Sequence, residues 1–313
     1  MSLLALAAAK ASPGVTTTAV ALAATWPAER QVLLVEADPG GGDLAAWFGL
    51  PVEPGLVSLA AARRWTPPSV EGHTQPLPGG LRVLVGPPGA EQATAALGLL
   101  PADVLAGLDG LEGTDVLADL GRLDPGSPAL PLARAARLLL LVCRPTLAEL
   151  QHLAHRVAAL REVRRALGLV LVGGGPYPPA EVARTLGVEV LGALPVDRHG
   201  AGLLGGTAAG MPGLRRTRLV RAARTLADDL AGRLATNPHR RGSRLGGGGV
   251  ACGGRSARHG QRRGVVAMTV DHERRRPGTA PRSTLGWWCG CASRSPTGWR
   301  SACGPTRRPP GPG

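Results

Sequence analysis

Leu3-Leu4-Ala5-Leu6-Ala7-Ala8-Ala9, then Lys10-Ala11-Ser12-Pro13-Gly14-Val15-Thr16-Thr17-Thr18, then Ala19-Val20-Ala21-Leu22-Ala23-Ala24 is the stretch that decides the fold. It reads as a short strand buried on both faces, a turn, and an apolar helix start. Backbone N–H groups at such a helix N-terminus lack intrahelical partners, and the helix dipole favours negative charge beside them. The pattern therefore suits a bound phosphate. Lys10 sharpens the reading, because it is the one lysine in 313 residues and the other 35 basic residues are arginine. A lysine kept in that background offers a compact, flexible ammonium that arginine's planar fork reproduces poorly. Taken alone, a βα turn with a solvated lysine would look the same.

Working outward, apolar runs recur at 31–37, 81–86, 115–120, 137–144, 167–173 and 189–195. Helical patterns lie between them at 14–25, 43–48, 55–64, 90–110, 146–165, 179–187 and 214–235. In 146–165, Leu147, Leu150, Leu153, Ala154, Val157 and Leu160 form an apolar stripe, and Thr146 with Glu149 reads as a capping box. Alternating strands and helices predict a doubly wound α/β domain with a mainly parallel sheet of about seven strands and helices on both faces. Ligands in such folds sit beyond the carboxyl ends of the strands.

Three strand ends carry the chemistry. After the second strand comes Glu36-Ala37-Asp38-Pro39-Gly40-Gly41-Gly42-Asp43, and after the fourth comes Asp119-Leu120-Gly121-Arg122. A loop with Thr16 for magnesium and two carboxylates at nearby strand ends is what metal-assisted phosphoryl chemistry needs. Each piece has a plainer reading: Asp38-Pro39-Gly40 is also a good solvated turn, and Asp119 can cap a helix. The order and spacing of the set favour the site.

At these residues the chain resembles the deviant Walker A ATPases of the ParA/MinD type, including the CpaE-like pilus-assembly branch. The resemblance covers about residues 1–235. The family loop reads Lys-Gly-Gly-x-Gly-Lys-Thr-Thr, and Lys10, Gly14, Thr16 and Thr17 match it. The resemblance implies ATP and Mg2+ as cofactors, with nucleotide held by Lys10, Gly14, Val15, Thr16 and Thr17. It implies metal contacts from Thr16, Asp38 and Asp119, and a Pro-x-Asp loop at Pro195 and Asp197 near the base. Lys10 would reach a partner subunit's phosphates. Asp38 would orient the attacking water, with Glu36 standing in for the first acid of an Asp-x-Asp switch. A nucleotide-dependent homodimer with a protein partner in partitioning, division-site placement or pilus assembly follows from the same resemblance.

The departures are equally specific. Val15 replaces the second loop lysine, and Ala11 and Ser12 replace two glycines. A charge-assisted contact contributes roughly 1.5–3 kcal/mol, so its loss should weaken nucleotide binding about tenfold to a hundredfold. Gly173-Gly174-Gly175 stands where the family usually has Asn and a basic residue for adenine. Weak hydrolysis is expected, and the alternative is a non-hydrolysing pseudo-ATPase scaffold that binds protein partners.

Charge divides the chain at about residue 236. Residues 1–236 hold 21 basic against 20 acidic side chains, whereas residues 237–313 hold 15 arginines against Asp271 and Glu273. The overall charge of +14 is thus a property of the second stretch, and the basic balance says nothing about the partners of the first. Residues 237–313 are rich in Arg, Gly and Pro without helical or strand period, which predicts a disordered tail. Their composition equally matches an out-of-frame translation of GC-rich DNA. Trp287, Trp288 and Trp299 among the arginines suggest nucleic acid only weakly. Cys289, Cys291 and Cys303 are poorly spaced for zinc. A single cysteine, Cys143, in residues 1–236 fits a cytoplasmic protein. The apolar N-terminal run of seven residues has no basic stretch before it, so neither a signal peptide nor a membrane span is expected. The 214–235 pattern is basic and amphipathic, and reads as the last helix packed on the sheet rather than a membrane-surface segment.

Overall fold

All seven apolar runs form strands, and they do so in one sheet. The computed structural model describes residues 2–10, 13–62, 70–77, 79–100, 104, 107–109, 111–206 and 213–236. The chain divides into two units after Leu245, and every described residue lies in the first. Readings that fall on Ala11, Ser12 and residues 237–313 lie outside the described residues.

In chain order the elements are β1 (Leu3–Ala8), α1 (Val15–Ala24), β2 (Gln31–Glu36), α2 (Leu44–Phe48), α3 (Leu56–Ala60), β3 (Gln75–Pro76) and β4 (Arg82–Leu84). There follow α4 (Ala90–Leu99), β5 (Thr114–Arg122), α5 (Leu130–Ala135), β6 (Leu138–Cys143), α6 (Leu147–Val163) and β7 (Leu167–Val172). The chain continues through α7 (Pro179–Leu186), β8 (Val190–Leu194), α8 (Arg198–Leu204), a 3-10 turn (Leu214–Arg216) and α9 (Arg218–Thr236). The sheet order is β3-β4-β2-β5-β1-β6-β7-β8, parallel throughout except for the antiparallel β3–β4 pair.

Residue alternation along each strand explains the two cores. Leu3, Ala5 and Ala7 of β1 face a cluster with Val116, Ala118, Leu139 and Leu141, covered by α3 to α7. Leu4, Leu6 and Ala8 face the other cluster, covered by α1, α8 and α9. In α9, Leu219, Val220, Ala223, Leu226, Leu230 and Leu234 are buried, so the apolar side of this basic helix is spent on the sheet. No helix among the described residues is long and apolar enough to cross a membrane. At the amino ends of the strands, buried Asp115 accepts from Trp26 Nε1 at 3.0 Å and Arg30 Nη2 at 2.7 Å, which fixes the exit of α1.

Four expectations are corrected. The sheet has an eighth strand, β3, a two-residue edge piece containing Pro76. Helices α5 and α8 were not expected. The capping box at Thr146 does not form: Thr146 makes no side-chain cap, and Glu149 Oε2 instead accepts from the backbone N–H of Arg144 at 2.7 Å. The expected 214–235 helix breaks at Thr217, whose hydroxyl accepts from Val220 N–H at 3.3 Å and starts α9 afresh.

Candidate functional site

Parallel register sets the site geometry. In the β2–β5 pairing Glu36 lies opposite Asp119, and in the β1–β5 pairing Leu6 lies opposite Asp119 and Ala8 opposite Arg122. The ends of β2, β5 and β1 are therefore adjacent, and the turn into α1 leaves from the last of them. Gly14, with φ +96°, makes that turn. Thr18 N–H donates to Gly14 O at 2.9 Å and closes the first helical bond. The N–H groups of Val15, Thr16 and Thr17 precede it and have no side-chain cap. Lys10 is exposed at the end of β1.

Asp119 is the buried acid of this cluster, 1% exposed. Its Oδ1 accepts from Gly121 N–H at 2.9 Å, whereas Oδ2 has no hydrogen-bond partner. Burial pushes its carboxyl up to about 6; the Thr16 hydroxyl and the Gly121 N–H act against that rise, and Asp38 and Asp43 add to it. A buried oxygen without a donor, beside a threonine hydroxyl and a bare helix N-terminus, fits a cation. Magnesium is typically held by one or two carboxylates, waters and substrate phosphates rather than by an all-protein cage. Consistently, no group of three or more His, Cys, Asp or Glu among the described residues is arranged to hold a metal by itself.

Asp38 follows β2 and is half-buried; its Oδ1 accepts from Gly40 N–H at 2.7 Å. Burial raises its pKa, the Gly40 bond opposes this, and Asp43 adds to it. The carboxylate lies directly over Gly121, whose φ is +54°, and a β-carbon there would collide with it. Strand β5 must carry glycine at this point for Asp38 to stand beside Asp119.

Glu36, buried at the end of β2, is held by backbone donors. Its Oε1 accepts from Asp43 N–H at 2.7 Å and Leu44 N–H at 2.9 Å, and its Oε2 accepts from Gly86 N–H at 2.9 Å. Burial pushes its carboxyl up to about 7 against these three donors, with Asp119 adding to the rise. The side chain ties the Asp38 loop to the start of α2 and the end of β4. Nothing in the local sequence announced Gly86 as its partner.

The remaining candidates divide. Val15 is buried, 6% exposed, and packs in the core under α1 rather than facing the loop. Thr16 and Thr17 are half-buried at the helix start. Pro195 follows β8, three strands from β1, and is not brought against the acids. Its neighbour Asp197 accepts from Gly200 N–H at 2.9 Å, Arg218 N–H at 2.9 Å and Leu219 N–H at 3.2 Å. These bonds, the first of them most, hold Asp197 below the usual carboxylate range. Gly173 N–H donates to Leu194 O at 2.8 Å, which seats the glycine run beside that loop. Burial pushes the Cys143 thiol up to about 12, so it is no nucleophile. A cavity of about 1360 Å³ lies at the other ends of β2, β4 and β5, lined by Val20, Leu33, Phe48, Leu77 and Val220. Neither of the unpartnered buried side-chain atoms among the described residues, Ser2 Oγ and Asp119 Oδ2, belongs to its lining.

No protein-family model matches the chain, and no curated protein matches it in sequence. Solved structures do. The septum site-determining protein MinD from Pyrococcus horikoshii, complexed with Mg-ADP, is 20% identical with a TM-score of 0.59, over 76% of this chain and 99% of that one. The cell division ATPase MinD of Pyrococcus furiosus is 20% identical with a TM-score of 0.58, over 74% and 98% of the two chains. A ParA family ATPase from Chlorobium tepidum is 16% identical with a TM-score of 0.58, over 72% and 98%. The fold is that of MinD and ParA. Within the MinD/ParA fold, the ends of β1, β2 and β5 carry every sequence-derived candidate except Pro195.

Proposed function

We propose that residues 1–236 are a nucleotide-binding switch of the ParA/MinD kind, with residues 237–313 an appended tail. The observation that carries the proposal is Asp119 Oδ2, buried and unpartnered, beside Thr16 at the uncapped start of α1. The Mg-ADP in the Pyrococcus horikoshii neighbour supports the same reading. Phosphates would rest on the N–H groups of Val15, Thr16 and Thr17, with Gly14 giving close approach and Lys10 supplying charge from a partner subunit. Thr16 would hold magnesium, with Asp119 and Asp38 acting through its waters; the metal would neutralise charge on the terminal phosphates. Asp38, seated over Gly121, orients the attacking water. Hydrolysis is slow because Val15 offers no charge within the loop, so any positive charge at the phosphates must come from outside it. The protein works as a nucleotide-dependent homodimer in the cytoplasm, positioning a partner in a partitioning, division-site or pilus system.

The second reading, a pseudo-ATPase scaffold, is favoured by the burial of Val15. Calorimetric titration with ATP, ADP and a non-hydrolysable analogue in the presence of magnesium separates the two. Binding in the micromolar to sub-millimolar range supports the switch. No heat from any of them at millimolar concentration leaves the scaffold.

A further inference from the structure

With the loop lysine missing, strand register sets one further cation of the subunit's own chain near the phosphate position. Arg122 pairs opposite Ala8, the last residue of β1, and Leu123 N–H donates to Ala8 O at 3.0 Å. Neighbouring strands lie about 4.8 Å apart, so the Arg122 backbone stands beside the point where the chain leaves β1 for Lys10 and the turn into α1. Arg122 is also three residues beyond Asp119 on the same strand, just past the Gly121 on which Asp38 rests.

The side chain is available for such a role. It is 54% exposed and pairs with Asp124: Nε donates to Oδ1 at 2.9 Å and to Oδ2 at 2.8 Å, and Nη2 lies 2.8 Å from Oδ2. Nη1 takes no part in that pairing. A half-exposed ion pair of this kind contributes little to stability, so the guanidinium can turn from Asp124 to a phosphate at small cost. Guanidinium groups bind phosphate oxygens through two parallel N–H donors, which suits a terminal phosphate better than a point charge would.

We propose that Arg122 contacts the terminal phosphates of the bound nucleotide and supplies, from β5, the intra-subunit positive charge that Val15 cannot. The proposal rests on the nucleotide reading above and names a further binding residue for that site.

The test is calorimetry on the full chain with Mg-ATP, Mg-ADP and adenosine. It compares the unmodified protein with Arg122→Gln, Arg122→Lys and, as a remote charge control on α7, Arg184→Gln. Arg122→Gln should weaken ATP binding about tenfold to a hundredfold, the usual range for a charge-assisted contact. It should weaken ADP binding less and leave adenosine binding unchanged. Arg122→Lys should recover only part of the loss, because it keeps the charge but not the paired donors, and Arg184→Gln should bind like the unmodified protein. Unchanged ATP affinity in Arg122→Gln, or an equal loss for adenosine, overturns the role of Arg122 and leaves the nucleotide site standing. Failure of the unmodified protein to bind any of the three overturns both. Circular dichroism of each variant confirms that the comparison is between folded proteins.

Discussion

Replacing Gly121 with alanine tests the packing of the site most sharply. With φ at +54° the new residue sits in the left-handed region, which costs about 1–2 kcal/mol for a residue with a β-carbon. Its methyl group also meets the Asp38 carboxylate. Asp38 must then swing away and give up the 2.7 Å bond from Gly40 N–H. That bond is solvent-exposed, so it is worth about 1 kcal/mol, below the charge-assisted range. The expected destabilisation is about 2–3 kcal/mol. In an Asp38→Ala background the collision is absent and only the backbone cost remains. A double-mutant cycle by urea denaturation should therefore show a coupling of about 1 kcal/mol between the two positions. Equal cost of Gly121→Ala in both backgrounds, or a cost below about 0.5 kcal/mol, refutes the contact.

Three further outcomes are expected. Folding raises the Asp119 pKa to about 6, so the folded state holds the proton more tightly, and stability from this group falls as pH rises from about 4 through 6. In chelator-treated protein Asp119→Asn should flatten that decline, and an unchanged slope of stability against pH would contradict it. Glu36→Ala strands the N–H groups of Asp43, Leu44 and Gly86 and should cost about 3 kcal/mol in the same denaturation assay, at roughly 1 kcal/mol or more for each lost acceptor; a loss under 1 kcal/mol would mean that the three donors find water. Lys10→Ala should abolish the slow phosphate release, and a brisk rate unaffected by that change would show that Lys10 does not act at the phosphates.

The fold was legible because parallel strands buried on both faces leave continuous apolar runs, as in Leu3–Ala8 and Leu138–Cys143. It was less legible where elements are short or built from unusual residues. Strand β3 is two residues with a proline, and α8 carries Gly200 and Gly202 within seven residues. Lys10, Asp38 and Asp119 stood out because each lies at or near the end of an apolar run, and Thr16 because it opens the helix that follows β1. The bonds of Glu36 could not be read from the sequence because its partners are set by tertiary structure: Gly86 is fifty residues away. The same holds for Glu149, which forms no capping box with Thr146 because the Arg144 N–H lies within its reach. Arg122 carries no local sequence signal of a role, since only the β1–β5 register places it beside the loop.

The central claim is that the ends of β1, β2 and β5 hold a magnesium-bound nucleotide. A crystal structure of the protein grown with magnesium and a non-hydrolysable ATP analogue tests it most directly. The account predicts phosphate oxygens on the N–H groups of Val15, Thr16 and Thr17, with the cation on the Thr16 hydroxyl facing Asp119 Oδ2. Nucleotide bound elsewhere, for instance in the cavity beside Val20 and Phe48, or an empty strand end at saturating ligand, would contradict it.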